Sequence, residues 1–261
     1  MEVIITDDAG QIGALAADAI EALLVAKPAA VLGLATGSSP LSIYDELAAR
    51  YEAGRISFRQ ARGFTLDEYV GLPADHPERY RNVIDSVFVS RVDFAPGAVD
   101  GPDGLATDIP ASCAAYEAAI QAAGGVDLQI LGIGTDGHIG FNEPGSSLAS
   151  RTRIKTLTRQ TRIDNARFFG GDVDLVPTHC LTQGLGTISE ARHVILVATG
   201  RTKAEAVHQL VEGPVSAMWP ATILQHHRHV TVLLDGGAAR RLQLADYYRE
   251  TYAAKPDWQG I

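Results

Sequence analysis

Residues 132–147, GIGTDGHIGFNEPGSS, combine a glycine-rich pattern with carboxyl and imidazole side chains. The first six letters satisfy G-x-G-x-x-G, the pattern of a dinucleotide-binding turn. Such a turn needs a long helix directly after the glycines, and an acidic residue about 20 positions further on. Here Pro144 and Gly145 follow within a few residues, and no Asp or Glu occurs between Glu143 and Asp164. The sequence context therefore argues against a dinucleotide site.

The same stretch carries three side chains suited to acid–base chemistry, Asp136, His138 and Glu143. They follow an apolar run at 126–131 that is typical of a buried strand. A carboxylate beside an imidazole orients the ring and selects its tautomer, which suits general acid–base catalysis. A glycine-rich turn with a single capping Asp is the structural alternative. We predict a catalytic loop, because all three groups crowd at the end of one strand.

The elements that must position this loop alternate along the chain. Continuous apolar runs predict strands near residues 3–5, 30–35, 63–66, 126–131, 194–198 and 230–234. Apolar faces and capping residues predict helices near residues 9–26, 40–51, 78–89, 109–123, 202–212 and 237–252. Runs that are apolar throughout indicate strands buried on both faces. The alternation predicts a single α/β domain over residues 1–261, with a mostly parallel sheet covered by helices on both faces.

Three polar clusters follow predicted strands, at 36–39, 67–69 and 134–143. Ligands of parallel sheets bind at the carboxyl ends of the strands, so we expect the three clusters to converge. The first cluster consists of Thr36, Gly37, Ser38 and Ser39. Its N–H groups and hydroxyls can face an anion at a helix start, although it lacks the G-K-[ST] of a nucleotide-triphosphate loop. An ordinary helix cap is the alternative for this cluster.

In the second cluster two acids, Asp67 and Glu68, are adjacent at the end of an apolar strand. Neighbouring side chains in an extended chain point to opposite sides. At most one of the two acids should therefore face a ligand, while the other caps a turn or meets solvent.

A basic run stands out in this acidic chain, beginning with Arg151, Arg153 and Lys155. At a period of two these side chains share one face of an extended segment, where they could grip a phosphate. A solvated charged surface is the alternative. The histidines at 226, 227 and 229 lie outside the spacings of a helical metal site, and no Cys or acid lies within five positions of them, so we predict no metal there.

Composition excludes several classes of protein. The formal net charge is −9, which argues against broad binding to nucleic acid or to an anionic membrane surface. The apolar stretch 12–35 is interrupted by Asp18, Glu21 and Lys27, so we predict no membrane span. Cys113 and Cys180 are too few for a disulfide framework, and we predict buried free thiols. We expect a cytoplasmic protein.

Five motifs give the chain a resemblance that covers nearly its whole length. They are LGLATGSSP at 32–40, LDEYVGL at 66–72, GIGTDGHIGFNEPGSSLASRTRIKTLT at 132–158, ARFF at 166–169 and GRTKAEAV at 200–207. In length and order these motifs resemble the glucosamine-6-phosphate deaminases, which belong to the sugar-phosphate isomerase/deaminase superfamily. The resemblance implies a Rossmann-like fold that needs neither a metal nor a nucleotide cofactor.

The resemblance implies conversion of D-glucosamine 6-phosphate and water to D-fructose 6-phosphate and ammonia. The matching catalytic positions are Asp67, Asp136, His138 and Glu143. His138, held by Asp136 and Glu143, would open the sugar ring. Asp67 would move a proton from C2 to C1 through an enolamine.

The resemblance also implies two phosphate sites. The matching ligands of the substrate phosphate are Thr36, Gly37, Ser38, Ser39, Arg167 and Lys203. Regulated members bind N-acetyl-D-glucosamine 6-phosphate at a second site between the subunits of a hexamer, and the matching positions are Ser146, Arg153 and Lys155. A homo-oligomer is therefore expected, and a mobile lid is predicted near 158–180, where paired aromatics and glycines occur together.

Three alternatives remain at this point. A 6-phosphogluconolactonase, or a deaminase for another amino-sugar phosphate, would share this architecture. A non-catalytic sugar-phosphate sensor is more remote, because the acid–base set is intact and an acidic chain of 261 residues leaves no room for a basic DNA-binding module.

Overall fold

A computed structural model describes residues 1–256 and 258–261, and its architecture is built around a seven-stranded sheet. The strands of this sheet are β1 (Glu2–Thr6), β2 (Val31–Leu34), β3 (Arg62–Thr65), β5 (Val99–Asp100), β6 (Leu128–Leu131), β9 (His193–Ala198) and β10 (Val230–Asp235). Their order is β1-β10-β9-β6-β2-β3-β5, and every pair is parallel. The predicted parallel α/β domain is confirmed.

Eight α-helices accompany the sheets in the described part of the chain. They are α1 (Ala9–Ala26), α2 (Leu41–Glu52), α3 (Tyr80–Val87), α4 (Ile109–Ala122), α5 (Arg159–Asn165), α6 (Leu185–Ser189), α7 (Ala204–Glu212) and α8 (Ala245–Ala253). β2, β6 and β9 are buried along their whole length, as their continuous apolar runs predict. The main hydrophobic core lies on both faces of this sheet.

The first helix shows how a local signal sets an element. The Asp8 carboxylate accepts a hydrogen bond from the Gln11 N–H at 2.9 Å, so it caps α1. By length and composition α1 could cross a membrane. In this structure, however, Ile12, Ala16 and Ile20 are fully buried in the core, and the helix packs against α2 and β10. One face of this apolar helix therefore belongs to the core.

A second, three-stranded sheet was not anticipated. It consists of β4 (Asp67–Tyr69), β8 (His179–Thr182) and β7 (Arg153–Thr156), all antiparallel in the order β4-β8-β7. These strands are only three or four residues long, and their partners are distant in sequence. Periodicity detects such strands poorly, because each spans barely one alternation. A smaller cluster of buried side chains, which includes Tyr69, Phe141 and Cys180, packs beside this sheet.

The helix predicted at 237–252 is wrong in its continuity. A 3-10 turn at Ala238–Arg241 is followed by extended backbone at Leu242, and α8 begins only at Ala245. The Leu242 side chain is buried in the core at this break. The Glu212 carboxylate accepts hydrogen bonds from the next two backbone N–H groups, at 2.8 and 2.9 Å. Core burial and this carboxylate together stabilise the interruption.

Both cysteines are buried and free, as predicted. Burial raises the pKa of the Cys113 thiol, and it raises that of Cys180 well above the usual range. Neither thiol is poised as a nucleophile, because the thiolate is the reactive form.

A histidine stack lies at the amino ends of two central strands. The rings of His193 and His229 are parallel, with centroids 3.7 Å apart, and His193 Nε2 lies 3.0 Å from the Thr231 hydroxyl. Burial, and to a lesser extent the neighbouring His229 and His227, lower the pKa of His193 from 6.5 to about 3. The folded chain therefore keeps this imidazole neutral at mildly acidic pH.

The stack predicts acid sensitivity. The unfolded chain protonates His193 below its ordinary pKa of 6.5, whereas the folded chain does so only near 3, so the free energy of unfolding falls as the pH drops through this window. Urea denaturation of wild type and of His193→Gln, at about pH 7.5 and about pH 5, measures the effect. The variant should lose less stability between the two conditions than wild type does. His226→Gln is the control, because that side chain is exposed. Equal losses in wild type and His193→Gln would contradict this assignment.

Candidate active site

The candidate site lies at the carboxyl ends of β2 and β6, where the strand order of the main sheet reverses. Strands β2 and β6 are neighbours, but the chain continues from β2 to β3 on one side and from β6 to β9 on the other. Loops that leave two such strands diverge and open a crevice at the carboxyl ends. Here the loops are 36–39 and 132–143, and Ser39 lies directly beside Gly132. The two loops therefore meet at the carboxyl ends of β2 and β6.

His138 lies against the backbone of its own loop. A Cβ placed on Gly134 would come within 2.2 Å of the His138 ring, so only glycine leaves room for the imidazole. The His138 backbone carbonyl accepts a hydrogen bond from the Gly134 N–H at 2.9 Å, which closes the loop on itself. His138 Nδ1 lies 2.6 Å from Asp136 Oδ1, although the angle departs from that of a good hydrogen bond. Asp136 Oδ1 also accepts the His138 backbone N–H at 3.2 Å.

Asp136 is half-buried, and its electrostatics follow from His138. Burial alone would raise the pKa of Asp136, but the adjacent His138, through its ring and its backbone N–H, lowers the pKa overall. Asp136 is therefore held as a carboxylate beside the imidazole. This is the arrangement that orients a general acid–base histidine.

A segment far along the chain holds the loop at two points. The Ala221 N–H donates to the Gly137 carbonyl at 2.9 Å, and the Gly145 N–H donates to the Ala217 carbonyl at 2.8 Å. Between them the Trp219 ring covers Gly137, which has φ +80° and no room for a Cβ. Trp219 therefore packs next to the candidate site.

Asp67 reaches the site from the small sheet. It lies opposite Thr182, whose hydroxyl accepts a hydrogen bond from the Phe141 N–H at 3.1 Å. Its side chain is close to Gly140, since a Cβ built there would lie 3.7 Å from Asp67 Oδ2. Asp67 is 7% exposed, and its carboxylate accepts no hydrogen bond from the described residues. Burial, and to a lesser extent the charge of Glu68, raise the pKa of Asp67 to about 8.

Glu68 points the other way, as the alternation of a strand requires. Its carboxylate accepts the backbone N–H groups of Tyr80 and Arg81, both at 3.0 Å, at the start of α3. It also accepts the N–H of Tyr69 at 2.8 Å. Glu68 thus binds backbone N–H groups at a helix start, in agreement with the expectation that one of the two acids caps a turn.

Glu143 does not hold His138 in this structure. It is buried, and its carboxylate accepts hydrogen bonds from the hydroxyls of Thr158, at 3.1 Å, and of Thr161. Among the described residues the ion pair to His138 comes from Asp136 alone. The expected double support of His138 is therefore reduced to one carboxylate, because the two threonines at the start of α5 hold Glu143.

The expected ligands of the substrate phosphate lie on three segments. Thr36, Gly37, Ser38 and Ser39 form the turn before α2, with Gly37 and Ser38 exposed. Lys203 ends a 3-10 turn that leads into α7. Burial lowers the pKa of Lys203, and so does the charge of Arg167, while Asp136 opposes the shift. Lys203 therefore lies close enough to Arg167 and Asp136 for their charges to affect its pKa. Arg167 is exposed, with its guanidinium over the Phe168 ring.

Asp235 was missed by the sequence analysis. Both of its carboxylate oxygens accept the Gly200 N–H, at 2.9 and 3.0 Å, and one accepts the Ala238 N–H at 2.7 Å. It thereby anchors the loop that carries Lys203. The signal was present, since Asp235 ends β10 and lies at the same edge of the sheet as the other polar clusters.

The expected second phosphate ligands lie on and before β7. Arg153 and Lys155 share one face of this strand, as period two predicts, and neither forms an ion pair with the described residues. Arg151 precedes the strand and is paired with Glu117 and Glu190, so it does not share their role. The Ser146 hydroxyl is buried and lacks a hydrogen-bond partner among the described residues.

Comparison with known proteins identifies the family. Residues 7–234 match the model of the glucosamine-6-phosphate isomerases/6-phosphogluconolactonase family. The chain belongs to this family. Within it, a glucosamine-6-phosphate deaminase from Mycolicibacterium smegmatis is 83% identical over 261 residues, which is all of both chains. A glucosamine-6-phosphate deaminase from Beutenbergia cavernae is 76% identical over the same full length.

Solved structures place the fold within the same family. A structure described as a monomeric glucosamine-6-phosphate deaminase is 41% identical, with a TM-score of 0.90 over 92% of this chain and 100% of that one. A 6-phosphogluconolactonase from Trypanosoma cruzi is 22% identical, with a TM-score of 0.74 over 93% of this chain and 97% of that one. The second likeness concerns the fold alone.

The contact between Gly134 and His138 predicts a site-specific loss. Gly134→Ala would drive a methyl group into the imidazole, so the ring must move. A displacement of about 1 Å costs on the order of 100-fold in rate, so we expect a loss of that size in kcat of the chain's enzymatic activity. Steady-state kinetics on the folded variant measures it. Gly260→Ala is the control, because a Cβ there meets open space. Unchanged kcat in Gly134→Ala would contradict the placement of His138.

Proposed function

We propose that this chain converts D-glucosamine 6-phosphate and water to D-fructose 6-phosphate and ammonia. The observation that carries the proposal is the buried Asp67 carboxylate, which has a raised pKa and lies beside the loop of His138. An aldose–ketose shift needs one proton carrier of this kind, and ring opening needs a separate acid–base group. The enzyme is a glucosamine-6-phosphate deaminase of amino-sugar metabolism.

Sequence similarity supports the deaminase rather than the lactonase. Relatives named as deaminases match all of the chain at 83% and 76% identity, whereas the lactonase structures resemble it at 22% and 21%. The buried Asp67 also favours the deaminase, because hydrolysis of a lactone requires no base at C2. A buried carboxyl with a pKa near neutrality is what proton transfer from carbon requires.

Ring opening is assigned to His138. The imidazole takes the proton of the anomeric hydroxyl and returns a proton to the ring oxygen, while Asp136 fixes its orientation. Glu143 completes the acid–base set from the same loop. The open-chain aldose then carries its amine on C2.

The proton transfer is assigned to Asp67. Its carboxylate removes the proton from C2 as the C1 carbonyl oxygen takes up a proton, which gives an enolamine. The resulting acid delivers the C2 proton to C1, and the nitrogen releases one proton, which balances the proton taken up by the oxygen. The product is an imine at C2, to which water adds. Ammonia leaves as the C2 carbonyl of fructose 6-phosphate forms. One carboxyl suffices for both transfers, because it regains its charge in the second.

The phosphate is assigned to the loop 36–39, Arg167 and Lys203. The hydroxyls and N–H groups of the loop, a planar guanidinium and a point charge are complementary to a phosphate group. These ligands lie on separate segments, and Arg167 belongs to the 158–180 segment that we propose as a mobile lid. A cytoplasmic location is part of the same proposal.

The role of Asp67 predicts a pH dependence. Only the carboxylate can act as the base, so kcat/KM should fall as the pH drops below the Asp67 pKa of about 8. Asp67→Asn should lower kcat for ammonia release by about 100- to 10,000-fold. Enzyme-coupled ammonia detection with D-glucosamine 6-phosphate measures both effects.

Asp85→Asn is the matched control, because Asp85 is exposed on α3 and makes no ion pair in the described structure. Galactosamine 6-phosphate and 6-phosphogluconolactone serve as comparison substrates. No ammonia from glucosamine 6-phosphate, or full activity in Asp67→Asn, would contradict the assignment.

Regulation by N-acetyl-D-glucosamine 6-phosphate belongs to the same proposal. Its phosphate is assigned to Arg153, Lys155 and the Ser146 hydroxyl. Two observations on the described residues support this assignment. Arg153 and Lys155 form no ion pair there, and the buried Ser146 hydroxyl has no hydrogen-bond partner. Burial lowers the pKa of the Arg153 guanidinium, so an anion at this position is favourable. A homo-oligomer, hexameric if regulated, would complete this site, although one relative is described as monomeric.

The second site predicts activation that depends on its cations. In wild type, the acetylated sugar should convert a sigmoidal substrate curve to a hyperbolic one, and Lys155→Gln should weaken that response at least about tenfold in activator concentration. Arg159→Gln is the control, since Arg159 is exposed and without an ion pair in the described structure. Light scattering supplies the oligomeric mass. A wild-type hexamer whose curve ignores the acetylated sugar would exclude the second site.

A further inference from the structure

The Glu143 carboxylate is buried without a neighbouring cation. It is 6% exposed, and no Lys, Arg or His of the described chain lies within ion-pair distance. All of its hydrogen bonds reach one oxygen, Oε1. Burial of a carboxylate without a cation costs free energy. Among the described residues, these hydrogen bonds alone offset that cost.

Both side-chain donors to this oxygen are threonine hydroxyls at the start of α5. Thr158 Oγ1 lies 3.1 Å away, Thr161 Oγ1 makes a short contact, and the Thr158 N–H is at 3.4 Å. Thr161 is itself buried. A hydroxyl has one proton to donate, so its other contacts must be met as an acceptor.

The proton count resolves which hydroxyl donates where. The Thr158 Oγ1 accepts the Thr161 N–H at 3.2 Å, because Thr158 caps α5. The two hydroxyl oxygens lie 2.9 Å apart, so either could donate to the other. With a carboxylate beside them, both protons are best directed to Glu143, since hydrogen bonds to a charged acceptor are the stronger ones.

We propose that Thr161, supported by Thr158, is a positioning residue that holds Glu143 for catalysis and ties it to the docking of α5. The inference rests on the proposed deaminase function. The hydroxyls fix one oxygen of Glu143, Oε1, while Oε2 accepts no hydrogen bond from the described residues. Because they belong to α5, displacement of that helix removes the compensation of the buried carboxylate. The position of the Glu143 carboxylate therefore depends on the docking of α5.

This arrangement couples two parts of the molecule that the sequence shows as separate. Glu143 belongs to the loop after β6, whereas the threonines open the 158–180 segment. Arg162, next in α5, donates to the carbonyls of Val173, at 2.7 Å, and Val176, at 3.1 Å. These bonds tie α5 to the rest of the 158–180 segment. The hydrogen bonds of Glu143 therefore depend on the position of that segment.

The test is removal of one hydroxyl at nearly constant shape. Thr161→Val should lower kcat for ammonia release by about 10- to 100-fold with little change in KM, because a hydrogen bond to a charged group is lost while the phosphate ligands remain. Thr161→Ser should restore most of the activity, since it restores the donor. Thr107→Val is the control, because Thr107 is exposed and makes no side-chain hydrogen bond with the described residues.

A double mutant separates positioning from general stability. If Thr161 acts through Glu143, then Thr161→Val should cost nothing further in a Glu143→Gln background. Additive losses, a change in KM alone, or failure of Thr161→Ser to recover activity would overturn the proposal. Thermal melting establishes that each variant is folded, and Thr158→Val provides the second hydroxyl deletion if Thr161→Val does not fold. A wild-type chain that releases no ammonia would count against the deaminase, and the coupling of Thr161 to Glu143 would then be tested by the same double-mutant cycle in thermal stability.

Discussion

The short strand β4 pairs with β8 so that Asp67 lies opposite Thr182 and Glu68 opposite Leu181. This register turns Asp67 toward the catalytic loop and sends Glu68 to the start of α3. A slip of one residue would exchange the two carboxylates, because side chains alternate along a strand. The acid at the crevice would then be the one that holds a helix terminus. The burial of Asp67, its raised pKa and its proposed role all depend on this three-residue pairing.

The surroundings of Asp67 and Asp136 shift the pKa values of these two carboxylates in opposite directions. Asp67 is buried and accepts no hydrogen bond from the described residues, so its pKa is raised to about 8. Asp136 lies against an imidazole, so its pKa is lowered. Such a pair can divide the work of one reaction, with one group exchanging protons and the other keeping its charge. The difference comes from neighbours, since both side chains are aspartates.

The main sheet could be predicted from the sequence, because continuous apolar runs such as 30–35 and 126–131 are strong local signals. The location of Asp67, Asp136 and His138 at one edge also followed, from the rule that parallel strands present their carboxyl ends together. Other features depend on contacts between distant segments. Neither the pairing of β4 with β8 nor the capture of Glu143 by Thr158 and Thr161 leaves a local pattern. The break at Leu242 likewise reflects core burial rather than propensity.

Asp235 illustrates what a residue remote from the chemistry contributes. It holds the N–H groups of Gly200 and Ala238 in the free chain, so the loop carrying Lys203 is already ordered. On the proposed assignment of Lys203 to the substrate phosphate, binding would then require little loss of conformational entropy in that loop. Preorganisation of this kind favours fast capture of a dilute metabolite, because the encounter need not await a rearrangement. Under the proposed function, the anchor at the end of β10 would thus affect the kinetics of capture without touching the ligand.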